Sequence, residues 1–273
     1  MRLSTKIITG IILSIFLLTT SAIIGLSFID TEKYERQIRT SDATVSQENI
    51  ITLSVEPFQA IKISYAAKNQ REHEIYPFGA MHLQPVMNEE DKNKLSLPEE
   101  LLRFVDIASS NDTLIIRINM DKIHEQYRPS VMERPMSGVN FFINTSMVDV
   151  INNAENIKID IQNMTTEAIH LQTNGSVYIA NCQADIITPR MERSGRFQLK
   201  DSQVRELNID LDQMGRSWQI DNCDIEVENL TGSNRHNVNL PKSEAKIMNW
   251  LPKNADARLN ITLRGDSAQV IFP

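Results

Sequence analysis

Ile159-Asp160-Ile161-Gln162-Asn163-Met164, Val177-Tyr178-Ile179-Ala180-Asn181-Cys182, Phe197-Gln198-Leu199-Lys200-Asp201-Ser202 and Trp218-Gln219-Ile220-Asp221-Asn222-Cys223 align without a gap. Each window reads apolar, any residue, Ile or Leu, any residue, Asn or Asp, then a small or soft residue. Their starts are offset by 18, 20 and 21 residues (159 to 177, 177 to 197, 197 to 218). That interval is the length of one winding of a β-solenoid, in which each strand stacks on its equivalent in the next winding.

Stacking explains the pattern. Strands of neighbouring windings lie about 4.8 Å apart, and two alternating apolar positions per strand face inward to build a shared core. Asn or Asp at the strand's end turns the chain, because its side chain bonds nearby backbone and tolerates left-handed geometry. Aligned Asn amides can also bond along the stack. The expected structural ladder is Asn163, Asn181, Asp201 and Asn222, followed by Cys182, Ser202 and Cys223.

A second strand follows in each winding, marked by Ile169 and Leu171, Ala184 and Ile186, Leu207 and Ile209, and Ile225 and Val227. Val238, Leu240 and Ser243 continue the series across the intrusion of Pro241, and Leu259, Ile261 and Leu263 keep the alternation without the Asn. Cys182 and Cys223 occupy one repeat position two windings apart. Their expected separation of about 9 to 10 Å exceeds the roughly 7 Å reach of a disulfide, so both read as free, buried thiols.

Upstream, Ile51, Leu53 and Val55, then Ile61 and Ile63, alternate as half-buried strands do. Leu114, Ile116, Ile118 and Met120 form a further extended run. Pro77, Gly79, Pro85 and the charged run from Glu89 to Lys94 read as loop, and residues 98–104 as a helical turn or the start of a strand. Pro129, Pro135 and Gly138 break any regular element between residues 128 and 138.

At the N-terminus, residues 7–29 form a stretch of about 23 residues without a charged side chain, starting at Ile7 and ending at Ile29, between Lys6 and Asp30. Such a run spans a bilayer core of roughly 30 Å as a helix. A cleaved signal peptide is the rival reading, but the apolar run continues past Ser21 and Ala22 through Ile23, Ile24, Leu26 and Phe28. The organisation read from the sequence is a membrane anchor at 1–29, a polar stalk at 30–48, a β-rich first segment at 49–127 and solenoid coils at 139–273. Arg2 and Lys6 precede the anchor, while Lys33, Arg36 and Arg39 follow it, so charge alone does not orient it. A short N-terminus before a long domain places that domain outside the cytoplasm, in the cell envelope.

The net charge of −7 argues against a nucleic-acid partner, which wants clustered Lys and Arg. No nucleophile-elbow, zinc-protease, paired-cysteine, dinucleotide or phosphate-loop motif occurs, and no cofactor is expected. His73, flanked by Glu72 and Glu74, and His82 lack metal-ligand spacing and read as a solvated loop. The acidic row Asp210, Asp212, Asp221, Asp224, Glu226 and Glu228, with Arg205 or Arg216 as base, is the arrangement a calcium-dependent polysaccharide lyase would use. It is also what a solvent-facing solenoid wall carries. Phe197 and Trp218 fall on the inward position, whereas Tyr178 faces outward and is a candidate for ligand contact. Asn163 and Asn260 begin N-x-S/T matches that follow from the Asn content.

The anchor, the opening Val55-Glu56-Pro57-Phe58-Gln59-Ala60-Ile61-Lys62-Ile63, the later Asn111-Asp112-Thr113-Leu114-Ile115-Ile116 and coils of the Asn-Cys kind resemble the head GIN domain family. That family is classed with autotransporter adhesins and is common in Bacteroidetes. The resemblance covers residues 50–273 and implies a β-helical envelope domain without catalytic residues. The chain departs from it by an insertion at residues 65–97 and by an anchor where a cleaved signal is usual. Together these readings predict an all-β parallel solenoid behind one transmembrane helix, serving adhesion, surface binding or envelope structure. Its partners are the membrane and an envelope protein or glycan; a carbohydrate-active β-helix enzyme is the alternative.

Overall fold

The computed structural model describes residues 49–66, 79–127, 139–154, 157–192, 195–214, 217–240, 244–263 and 270–271. These belong to one compact unit, Thr44–Pro273. The anchor between Ile7 and Ile29 and the stalk lie outside the described residues, as do His73 and Arg216.

The first half contributes β1 (Ile50–Ser54), β2 (Ala60–Ala66), β3 (Ala80–Gln84), β4 (Lys94–Pro98), β5 (Val105–Ser110), β6 (Thr113–Asn119), the helix α1 (Met120–Tyr127), β7 (Asn140–Asn144) and β8 (Val148–Asn152). The repeats supply β9 (Lys158–Gln162), β10 (Thr165–Thr173), β11 (Val177–Ala180), β12 (Gln183–Met191), β13 (Arg196–Lys200), β14 (Gln203–Asp210), β15 (Ser217–Asp221) and β16 (Asp224–Gly232). The chain ends with β17 (Arg235–Leu240), β18 (Ala245–Pro252), β19 (Arg258–Leu263) and β20 (Val270–Ile271).

Two walls result, and together they make an all-β solenoid of about five turns. One has eight strands in the order β1-β4-β7-β3-β9-β11-β13-β15. The other has ten, in the order β20-β18-β16-β14-β12-β10-β8-β2-β6-β5. From β9 to β16 the chain alternates between walls, and all pairings of these strands are parallel. Ile161, Ile179, Leu199 and Ile220 stand in one register column. Ile159, Val177 and Phe197 fill the adjacent column and are fully enclosed. Each such aliphatic or aromatic side chain withdrawn from water stabilises the stack by roughly 1.5 to 3 kcal/mol.

The first half builds the same walls by threading. β2 inserts between β6 and β8, and β3 inserts between β7 and β9, so the layer formed by β2 and β3 lies between strands that come later in the chain. The stretch around Pro77, Gly79 and Pro85 that reads as loop therefore contains β3, whose Met81 and Leu83 face the core. The charged run likewise ends in β4, followed by a 3-10 turn at Glu99–Arg103. The alternation through Met120 is cut one residue early: the Asn119 side chain accepts a 3.1 Å bond from the Lys122 amide and starts α1.

The second strand of each winding departs from strict alternation at a kink. Asp185, Arg205 and Glu226 fall where the register of paired residues skips one position, and beyond it the inward phase advances by one. Ile187 is thus the core residue, with Ile186 half-buried beside it. In β16 the same shift leaves Val227 half-buried and turns Glu228 into the core at 2% exposure. A one-residue slip exchanges the faces of every later side chain, and this removes Glu228 from the solvent-facing acidic row. The continuation through Val238 and Ile261 pairs β17 with β19 in a separate two-stranded sheet.

Candidate functional site

The corners come first, because they fix the strands. Asn163, Asn181, Asp201 and Asn222 adopt φ of 58°, 53°, 48° and 53°. Asn and Asp tolerate this left-handed region better than other residues with a Cβ. Behind them Met164, Cys182, Ser202 and Cys223 are buried. The Cys182 thiol lies 3.2 Å from the Ala180 carbonyl, the Ser202 hydroxyl donates to the Lys200 carbonyl at 2.7 Å, and the Cys223 thiol lies 3.3 Å from the Asp221 carbonyl. A short side chain carrying S–H or O–H thus returns to the carbonyl two residues back. Both cysteines are free, and burial pushes both thiols above their ordinary pKa. Along the stack, the Asn222 amide donates to Asp201 at 2.6 Å.

A second amide row runs down the ten-stranded wall. Asn249 donates to Asn229, and Asn229 donates to Asn208, each at 2.9 Å. Its sequence signal is three Asn residues offset by 21 and 20 (208 to 229, 229 to 249). It lies beyond the kink, outside the repeat windows, which cover only the strands of the other wall.

The eight-stranded wall carries an outward column in which Ser96, Phe142, His82, Asp160, Tyr178, Gln198 and Gln219 follow one another in register. His82 stacks on Phe142 with ring centroids 4.9 Å apart. Its Nε2 lies 3.3 Å from Asn140 Oδ1, and its Nδ1 lies 3.5 Å from Asp160 Oδ2. The Asp160 carboxylate is only 5% exposed, although it points away from the core. Gln162 donates to it at 2.9 Å and Lys158 at 3.4 Å. The Lys158 ammonium also sits 4.8 Å from the Tyr178 ring centroid. Beside this column is a cavity of about 280 Å³ lined by His82, Leu83, Gln84, Pro85, Met87, Asn144, Asp160, Gln162 and Asn163.

At one corner of the opposite wall lies an ionic cluster. Asp212 accepts from the Ser233 amide at 2.8 Å, Lys253 at 3.0 Å and Asn234 at 3.3 Å, and its Oδ1 lies 3.0 Å from His236 Nε2. Lys253 also reaches both oxygens of Asp210, at 2.6 and 2.7 Å. Burial alone would raise the Asp212 carboxyl; the bonds from Ser233, Lys253 and His236 outweigh it and hold the group well below the usual carboxylate range. Because these residues follow β14, β16 and β18, the cluster clamps three windings.

The acidic row of the sequence is dispersed. Asp210 and Asp212 face Lys253, Asp224 pairs with Lys246 at 2.9 Å, and Asp221 accepts from Gln219 at 2.6 Å on the other wall. Arg205 pairs with Asp185 at 3.6 Å. Among the described residues no group of three or more His, Cys, Asp or Glu is placed to hold a metal ion. No helix of the described residues is long and apolar enough to cross a membrane.

No protein-family model matches the chain, and no curated protein matches it. Among solved structures, a Bacteroides fragilis protein provisionally named an adhesin is 14% identical, with a TM-score of 0.45 over 84% of this chain and 98% of its own. One from Parabacteroides merdae, also provisionally named an adhesin, is 12% identical, with a TM-score of 0.34 over 82% and 95%. A Parabacteroides distasonis protein provisionally named lipid-binding is 10% identical, with a TM-score of 0.39 over 82% and 96%.

Proposed function

We propose that this chain is a non-enzymatic envelope module of the head GIN domain kind, tethered by residues 7–29 and presenting its solenoid walls outside the cytoplasm for adhesion or surface binding. The observation that carries the reading is the state of Asp212. It belongs to the acidic row that a calcium-dependent lyase would use, and its lone pairs are filled by Ser233, Asn234, His236 and the ammonium of Lys253. A cation there would have to displace a lysine. The acidic corner thus works as a staple, and the walls are left for contact.

The test joins location to activity. Alkaline phosphatase fused after Pro273 in a bacterial host should be active, since it folds only outside the cytoplasm. Beads bearing the full chain should be retained on immobilised cell-envelope or extracellular-matrix surfaces. An inactive fusion or unretained beads would sink the proposal. So would calcium-dependent release of unsaturated sugars from an acidic polysaccharide that Asp212→Ala abolishes.

A further inference from the structure

We infer that the cavity beside Asp160 binds a neutral sugar residue of a surface glycan, which rests on the adhesion reading and names its ligand class. The lining decides the chemistry. Gln84, Asn144, Gln162 and Asn163, four residues with carboxamide side chains, line one hollow of the wall. A carboxamide carries N–H donors and a carbonyl acceptor, matching hydroxyls that donate and accept at once, although one donor of Gln162 is already taken by Asp160. Asp160, nine-tenths buried, adds a fixed acceptor, since a carboxylate oxygen has lone pairs beyond those that Gln162 and Lys158 use.

Charge narrows the ligand further. No Lys or Arg lines the cavity, and the Lys158 ammonium is engaged by Asp160, so a sialic acid, a uronate or a phosphate would meet the Asp160 carboxylate without a Lys or Arg of the lining to pair with. Pro85 and Met87 supply an apolar wall, and Met87 stands 80% exposed with no described role in the core. An unbranched thioether adapts readily to the C–H face of a ring. The volume, about 280 Å³, falls below the roughly 300 to 1,000 Å³ of sites for drug-sized ligands, which suits one ring and not a lipid chain. Most of the lining rides on β3, β7 and β9, and sites built on strands hold their geometry better than sites on loops.

The experiment uses the purified full chain in detergent on a printed array of neutral, sialylated and sulfated oligosaccharides. Binding to neutral glycans is expected. The double variant Gln84→Ala/Asn144→Ala, which leaves the Gln162 bond to Asp160 in place, should weaken it at least tenfold while the melting temperature is kept. Arg205→Ala, on the other wall, should leave it unchanged. A blank array, binding confined to charged glycans, or neutral binding indifferent to the double variant overturns the inference. If the array is blank and the beads still adhere, the sugar site falls and the adhesion reading stands; if the beads also fail, both fall.

Discussion

The layer containing β8 and the layer containing β16 each bury a polar side chain in the core, and they treat it in opposite ways. Asn152 is fully enclosed, yet its Nδ2 donates to the Ile157 carbonyl and to Thr173 Oγ1, both at 3.0 Å, and its Oδ1 accepts from the Ala154 amide at 2.9 Å. Glu228 stands in register between Leu207 and Met248, and its Oε1 accepts no hydrogen bond from a described residue. Burial alone raises its carboxyl to a pKa of about 7. The contrast teaches that a solenoid core accepts a polar group as a bracket for its own backbone, and that the same space favours the protonated form of an acid it does not bracket.

Breaking the bracket has the largest expected effect. Asn152→Ala strands the Ile157 carbonyl and the Ala154 amide and removes a donor from Thr173. Each buried polar group left unpaired costs about 1 to 3 kcal/mol, so the loss should be about 3 to 5 kcal/mol in urea unfolding. A loss under 1 kcal/mol would show that water replaces the amide and that the two layers differ less than their geometry implies.

Removing the unbracketed acid should do the reverse, in a way that pH controls. The folded pKa of Glu228, about 7, exceeds the ordinary value of 4.5, so the protonated form belongs to the fold. The stability tied to it is fully present below 4.5 and is lost as pH rises through 7. At about 1.4 kcal/mol per pH unit, that span corresponds to roughly 3 kcal/mol. Glu228→Met, which copies the neighbouring Met248, should therefore stabilise the chain by about 3 kcal/mol at pH 8 and change little at pH 4.5. Equal effects at the two pH values would show that Glu228 does not titrate inside the core.

Legibility in the sequence followed the range of the contacts. The columns through Ile161 and Ile179 were readable because each window repeats its own local solution about twenty residues on. The insertion of β2 and β3 between later strands was not, since pairings such as Met81 with Phe141 and Ile159 leave no period in the sequence. Glu228 was misplaced because a kink in the register changes the face of a residue without changing its neighbours in the chain. The wall cavity was not legible: Asn163 read as a corner residue, and the loop-like setting of His82 hid the strand that stacks it beside Asp160.

The smallest effect compares two neighbours at one corner of the Glu228 winding. Asn222 sits at φ 53° and donates to Asp201, whereas Asp224, two residues on, makes an exposed ion pair with Lys246. Asn222→Leu should cost about 1 to 2 kcal/mol, because a branched side chain in the left-handed region crowds the following carbonyl. Asp224→Ala should cost under about 1 kcal/mol, as exposed pairs do. Asn222→Gly separates the parts: glycine adopts this φ freely, so whatever instability remains belongs to the lost bond to Asp201. If Asn222→Leu and Asp224→Ala melt together, the corner residue is not what holds successive windings in line.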